Sequence, residues 1–461
     1  MRPLDTLEAD AHTDGARLAA RLDRLPVIPP HIVWISVLAI NLALEYYDNA
    51  LFAYVLPSIA ENTGLSLPQL GTVGSTFFVG MIVGALGGGR LSDRFGRRQV
   101  LIWATVVYSA GALATAFATS FEAMMFARFI TGLGVQAATS VLLVYVAEMF
   151  PSKTRGRFAS VLTTGFVIVA PLVAFLAMVA IPNGGPDTWR HLFIIGSVGL
   201  VIAPLARVIL PESVRWQISR GKLDEAEALV TKLETIALRR GPLPEPSVVP
   251  DAPVEKRSLR QVFSDKNVVR VIAVVGIGYF GSTLGYYLFG NWALYSLIEG
   301  LKYDEGTAYE IQLVWNVVYC VTPLVALALM DRVERKTLIF FGSIASAIPL
   351  VLLGVSTQNW VVTAAGGAAA ITTGLVINVY FAYIPEAMPP QGRGIGTGVV
   401  IGIARVGGAV SGVLGAALFG RWSIGGVMVA AAICYILFSA VVLLFGPRTT
   451  QRSLEGVAVE N

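Results

Sequence analysis

Apolar runs of about 20 residues recur twelve times along the chain, and no other feature limits its fold so strongly. Wound as a helix, a run of that length crosses the roughly 30 Å hydrocarbon layer of a bilayer. A helix also satisfies its own backbone hydrogen bonds, which lipid cannot do. The polar surface for a soluble alternative is missing. Of 461 residues, 55% are hydrophobic and 14% charged, with a mean hydropathy of +0.68, where a soluble domain carries roughly 25% charged residues. The 47 glycines fit helices that pack closely on small side chains.

The spans fall near 32–56, 70–90, 99–119, 124–147, 158–181 and 191–210, then near 268–296, 310–330, 337–356, 360–384, 395–418 and 424–446. The expected architecture is an all-α integral membrane protein of twelve transmembrane helices in two pseudo-symmetric six-helix bundles. A tail, 1–31, precedes the first bundle, 32–210. A linker, 211–267, leads to the second bundle, 268–446, and a tail, 447–461, ends the chain. The linker has a Pro-rich centre at 241–246, and Lys222 to Arg240 reads as a short surface helix. Residues 1–30 are polar, charged and end in proline, so no secretory signal is expected and the first span directs insertion.

Lys and Arg choose the cytoplasmic side. The loops after spans 2, 4, 6, 8 and 10 carry Arg90/Arg94/Arg97/Arg98, Lys153/Arg155/Arg157, many in 211–267, Arg332/Arg335/Lys336, and Arg393. Opposite them, 57–69 and 357–359 have neither residue, and 297–309 has only Lys302. Both termini and the linker are expected in the cytoplasm, in a cell (inner) membrane.

The halves repeat each other. Asp93-Arg94 after span 2 and Asp331-Arg332 after span 8 stand 238 residues apart, and so do Glu148 and Glu386 near the ends of spans 4 and 10. Each of those glutamates follows a Tyr three residues earlier and precedes a Pro three residues later, with Arg155-Gly156 or Arg393-Gly394 beyond. A duplicated six-helix unit implies a pseudo-twofold axis and a mid-membrane cleft, which an alternating-access carrier needs. Cys320 and Cys434 lie inside spans and make no disulfide or metal framework, and the three His lack ligand spacing. No nucleophile–base set is present, so neither enzyme activity nor a cofactor nor a metal is expected.

Gly89-Arg-Leu-Ser-Asp93-Arg94-Phe-Gly96-Arg97-Arg98 resembles the signature between helices 2 and 3 of the major facilitator superfamily. The copy at 331–336 is degraded, with Glu334 where the Gly would fall. Arg128-Phe-Ile-Thr-Gly132-Leu-Gly134 is similar to the family's helix 4 motif, and Pro211-Glu212-Ser213-Val-Arg215-Trp216 to its motif after helix 6. The resemblance covers essentially the whole chain and implies a secondary transporter. Asp93 follows Gly87-Gly88-Gly89, where another helix can approach, and its carboxylate can accept bonds from arginines and from a helix N-terminus. Such a cluster locks the cytoplasmic face. Gly89, Asp93, Arg94, Gly96, Arg97, Arg98, the Glu148/Arg155 pair, and their counterparts Asp331, Arg332 and the Glu386/Arg393 pair are the expected gate.

Glu45-Tyr46-Tyr47-Asp48 in span 1 resembles a motif of aromatic-acid:proton symporters and related metabolite carriers, with Glu45 and Tyr46 replacing the family's Asp and Gly. Gly285-Tyr286-Tyr287 to Trp292 in span 7 and the Arg405 segment of span 11 are similar to the same group. A sugar or polyol porter is the rival suggested by Pro211-Glu212-Ser213, against which span 7 lacks the paired Gln of sugar porters. An exporter of drugs or metabolites is a further rival.

A charge inside a span is costly and therefore a functional candidate. Asn41, Glu45, Asp48 and Phe52 lie on one stripe of span 1, expected to face the cleft, with Asp48 roughly 13 Å from the outer end. Asp48 and Glu45 are the expected proton sites; the other reading holds Asp48 in a static pair with Arg128. Arg128, near the outer boundary, either binds substrate or snorkels. Arg405, roughly 16 Å into span 11, needs an acidic side chain or an anionic substrate as partner. Tyr286, Tyr287, Asn291, Trp315, Asn316, Tyr319, Asn378 and Tyr380 offer hydrogen bonds and ring faces to a planar ligand. The expectation is a monomeric carrier that couples protons to uptake of a small organic anion, with a small-molecule substrate, protons and the lipid bilayer as partners and no nucleic acid.

Overall fold

The computed structural model describes residues 4–246, 259–330, 332–388 and 393–449. Twelve apolar spans run through it in helices. Span 1 is Pro29–Thr63, span 2 Leu67–Phe95, span 3 Arg97–Phe117, span 4 Phe121–Met149 and span 5 Arg155–Ala180. Span 6 comes in two pieces, Thr188–Gly196 and Gly199–Ile209. Span 7, Lys266–Tyr295, runs on into a π-helical turn, Ser296–Gly300. Span 8 is again divided, Glu305–Tyr319 and Thr322–Met330, ahead of span 9, Arg335–Val355, and span 10, Asn359–Ala387. Spans 11 and 12 are two helices within Arg393–Phe445 that meet at a non-helical kink at Ser423 (φ 52°, ψ −150°).

The helix ends follow local chemistry. Gly64 ends span 1 in the left-handed region. Ser66 and Gln69 reciprocally cap span 2, the Gln69 side chain accepting from the Ser66 backbone N–H at 2.9 Å. Asp304 caps span 8 through the Thr307 N–H at 2.8 Å.

At the Arg-rich face, which we call the basic face, the two halves build the same clip. Arg97 donates to both Glu148 oxygens at 2.9 Å. The second copy, Arg335 with Glu386 at 3.3 Å, lies 238 residues on. Ser213 hydrogen-bonds Glu148 as Thr449 hydrogen-bonds Glu386. Tyr145 and Tyr383 donate to the Pro211 and Pro447 carbonyls. Arg98 and Lys336 reach the Arg207 and Gly446 carbonyls.

The expected gate is corrected in several places. Glu148 pairs with Arg97, and Glu386 with Arg335, because the bundle brings span 3 against span 4 and span 9 against span 10. Arg155 is exposed, and Arg393 forms no ion pair among the described residues. Asp93, largely exposed, takes an ion pair from Arg97 at 2.9 Å but does not cap a helix. Glu212 does that instead, accepting from the Arg97 and Arg98 N–H groups at 2.8 and 3.0 Å. Gly96 (φ 105°) is required there, since a Cβ would run into the Glu212 carboxylate. Arg94 stacks its guanidinium against Phe95, Gly89 and Arg332 are exposed, and Asp331 lies outside the described residues.

The bundles meet on the half away from the basic face. Spans 2 and 11 touch backbone to backbone, because neither Gly71 nor Gly412 carries a side chain to hold them apart, and Ser75 accepts from the Val413 N–H at 3.1 Å. The Tyr309 hydroxyl donates to the Tyr54 carbonyl at 2.7 Å, joining span 8 to span 1. The first piece of span 8 packs on span 5, whereas its basic-face piece packs chiefly on spans 9 and 10. No ion pair joins the two bundles among the described residues. Among the described residues, these backbone and hydroxyl contacts between the bundles lie on the far half.

The N-terminal stretch, expected as a tail, contains a helix, Leu4–Asp23, and the linker adds Val214–Ser219, Leu223–Leu238 and Leu259–Ser264. Leu18, Leu22 and Leu25 bury against Ala226, Val230 and Leu233. Glu234 accepts from Arg21 at 2.7 Å and Arg24 at 2.5 Å, and Asp23 pairs with Arg215 at 2.8 Å. The motif after span 6 then grips the Asp93 turn, Trp216 and Arg220 both donating to the Asp93 carbonyl. Burial pushes the Glu234 pKa up, but hydrogen bonds and charge from Arg21 and Arg24 outweigh it, holding the carboxyl below its usual value of 4.5. A carboxyl depressed on docking supports the docked form fully above about pH 4.5, and that support is lost as pH falls through the folded value. Glu234→Ala should speed tryptic cleavage within Leu4–Asp23 at pH 7. Equal cleavage rates in the wild type and the variant would rule out the clasp.

Candidate functional site

A cavity of about 120 Å³ lies between the bundles. Span 1 contributes Tyr46, Asn49, Ala50, Ala53 and Tyr54 to its wall, and span 7 contributes Tyr286, Tyr287, Phe289, Gly290, Asn291 and Ala293. Gln312, Trp315, Asn316 and Tyr319 come from span 8, with Ala170, Ala370 and Thr373 from spans 5 and 10. No charged side chain is among them. The chemistry on offer is hydroxyl, amide and ring face, suited to a small planar polar molecule.

A hydrogen bond crosses this wall from one bundle to the other: the Tyr54 hydroxyl donates to the Asn316 side-chain oxygen at 2.9 Å. Tyr286 lines the same wall with Tyr46 and Tyr319. Tyr287 sets its ring edge-on against Phe78 of span 2, centroids 4.5 Å apart. Trp315 is fixed by its indole N–H, which donates to the Thr363 carbonyl at 2.9 Å, leaving one side of the ring along the cavity.

The stripe Asn41/Glu45/Asp48/Phe52 does not face the cleft, which corrects the sequence expectation. It turns into the first bundle, because the partners that make those groups tolerable in lipid stand there. Asp48 and Arg128 form a fully enclosed ion pair at 2.7 Å, their side chains 0% and 1% exposed. Phe52, Phe77 and Phe193 surround the guanidinium, 5.2, 4.4 and 5.6 Å from its carbon. Arg128 neither snorkels nor lines the cavity. Glu45, one turn away and also buried, has no cation partner among the described residues. Its oxygens accept from Asn41 and Thr139, both at 2.6 Å. Asn41 in turn accepts from Thr105 at 2.9 Å and Tyr108 at 3.0 Å.

Arg405 stands behind the cavity wall. Among the described residues its hydrogen-bond partner is the Tyr287 hydroxyl, 3.3 Å from Nη1, and its buried Nε has none. The expected site thus divides. Tyr286, Tyr287, Asn291, Asn316, Trp315 and Tyr319 come together at the cavity, and Arg405 lies one residue behind it. Asn378 turns to the Gly374 carbonyl of its own helix at 2.9 Å, and Tyr380 stacks on Tyr279 away from the cavity. Sequence reasoning missed Asn49, Tyr54, Gln312 and Thr373 at the wall, and Thr139 beside Glu45. Tyr54 carries a signal in hindsight, being a polar aromatic on the face of span 1 opposite the charges, whereas Asn49 stands one turn after Glu45 at the border of the charged stripe.

Removing one member of an enclosed ion pair strands the other. Arg128→Met should therefore destabilise the protein by about 3–5 kcal/mol, whereas Asp48→Leu/Arg128→Met together should cost far less. Thermal melting in detergent checks both. A double variant as unstable as the single one would show that the site depends on charge rather than on charge balance.

A family model described as sugar (and other) transporter matches residues 34–460. A Bacillus subtilis (strain 168) protein named for metabolite transport is 30% identical over 447 residues, covering 95% of this chain and 96% of that one. The niacin transporter of Acinetobacter baylyi is 26% identical, covering 96% of this chain and all of the other (100%). The 4-hydroxybenzoate transporter of Pseudomonas aeruginosa is 27% identical over 87% of this chain and 90% of its own. Among solved structures, the E. coli xylose transporter in a partially occluded inward-open conformation superposes with a TM-score of 0.71 at 20% identity, over 91% of this chain and 98% of that chain. That last likeness speaks to fold alone. The chain has the fold of the major facilitator carriers, belongs to the sugar (and other) transporter family, and is a multi-pass membrane transporter and not an enzyme.

Proposed function

We propose that the protein takes up a small planar organic carboxylate in symport with protons, by alternating access, with its basic face and both termini in the cytoplasm. One observation carries the reading. Arg405 is a guanidinium inside the membrane whose described partner is a neutral hydroxyl at the cavity wall, so an anion is the partner it lacks. The cavity, about 120 Å³, is of the order that accepts a single aromatic ring. Relatives named for niacin and 4-hydroxybenzoate transport support an aromatic acid.

Glu45 is the better proton carrier of the two span 1 acids. Thr139 has two acceptors in reach, the Glu45 carboxylate at 2.6 Å and the Val135 carbonyl at 2.9 Å. With Glu45 ionised, the Thr139 hydroxyl donates to it. With Glu45 protonated, Thr139 can donate to Val135 and accept from the carboxyl. Both protonation states are satisfied with the same neighbours. Asp48 has no such freedom, because protonating it strands Arg128 in a box of three phenyl rings. One proton moving with one monoanion carries no net charge, and so escapes the ~2.3 kcal/mol per 100 mV that a lone charge meets.

A sugar is the second reading, favoured by the uncharged amide and hydroxyl lining and by the xylose carriers of the same fold. Proteoliposomes with an imposed pH gradient separate the two, tested with benzoate, an aliphatic acid and xylose. Acid outside should drive benzoate accumulation, and Glu45→Gln should abolish the acid stimulation while leaving benzoate exchange across a balanced membrane. Xylose accumulation without benzoate uptake would replace the carboxylate with a sugar. An unchanged pH response in Glu45→Gln would remove Glu45 from coupling.

A further inference from the structure

We propose that Tyr287 is a specificity-determining residue whose hydroxyl, in the empty carrier, holds the place on Arg405 that the substrate's carboxylate takes. The assignment rests on the carboxylate reading above and adds to it a named competitor for the anion site. Tyr287 lines the cavity and Arg405 does not, so the hydroxyl stands between ligand space and guanidinium. At 3.3 Å the bond is longer than the usual N–H···O range, let alone the short range of a charge-assisted one.

A phenol also has only one oxygen to offer, and Arg405 Nε stays buried without a partner. A carboxylate has two coplanar oxygens and meets a guanidinium as a fork on two nitrogens. End-on, it would take Nη1, the nitrogen that Tyr287 engages, together with Nη2. A carboxamide of the same shape brings one acceptor and an N–H pair that a guanidinium repels. The empty carrier thus holds its guanidinium in place with a weak neutral partner that an anion outbids and an amide does not.

The ring of Tyr287 has separate support, edge-on to Phe78 and to Tyr286, with centroids 4.5 and 5.3 Å away. Phe78 itself fills the space over Gly408, where a Cβ would collide with it. Tyr287→Phe therefore removes the hydroxyl and keeps the packing.

The test uses the full chain in proteoliposomes and in detergent, with benzoate and benzamide as probes. Tyr287→Phe should tighten benzoate binding by about fivefold, the worth of one net hydrogen bond, with benzamide unchanged. The gain should appear in KM and not in kcat. Arg405→Gln should erase the preference for benzoate over benzamide with Tyr or Phe at 287. Weaker or unchanged benzoate binding in Tyr287→Phe, or an equal shift for benzamide, overturns the assignment while leaving carboxylate transport standing. A wild-type carrier that binds benzamide as well as benzoate overturns the carboxylate reading itself, and this assignment with it.

Discussion

A charge inside a bilayer has no water to fall back on, and the placement of most polar groups in this protein follows from that single constraint. Asp48 and Arg128 neutralise each other in a shell of phenyl rings. Glu45, with no cation partner among the described residues, is held by an amide and a hydroxyl. These demands turn one face of span 1 into its own bundle. The rest of the span, with Tyr46 and Tyr54 across from the charges and Asn49 at their border, is thereby left for the cavity. The arrangement of the span 1 charges decides which of its residues line the cavity, while neither acid lines it.

The same constraint relaxes at the basic face, where water returns, and there the halves carry their matched clips of Arg, Glu and hydroxyl. Each clip stays within its bundle. Arg97, Glu148 and Ser213 bind spans 2, 3 and 4 to the segment after span 6, and Arg335, Glu386 and Thr449 bind spans 9 and 10 to the segment after span 12. Two internally fastened bodies that meet around a central cavity are what a rocking motion requires.

Much of the fold was legible in the sequence. Apolar length located the spans, and the 238-residue offset of Asp93 and Glu148 with their counterparts revealed the duplication. The partners across that duplication were not legible. Glu148 was matched with Arg155 because they are near in sequence, yet the bundle supplies Arg97 from another helix. The stripe on span 1 was correctly seen as one face, but periodicity says which residues share a face and not what that face meets. Hence Arg128 was expected near ligand and is walled off by three rings. The cavity aromatics fared better, since Tyr and Asn at mid-span depth in several helices leave few other places to point. The N-terminal helix escaped notice because its apolar stripe of Leu18, Leu22 and Leu25 is short and its partner is a linker helix 200 residues away.

The contact between spans 2 and 11 has main chain at its centre. Gly71 lies against Gly412 there, and neither residue has a side chain that could be trimmed. A scan that replaces residues with alanine reads importance from what is lost, and at this contact it would instead add a methyl group where no room exists. Drift at these two positions runs in one direction only, toward prying the far side apart.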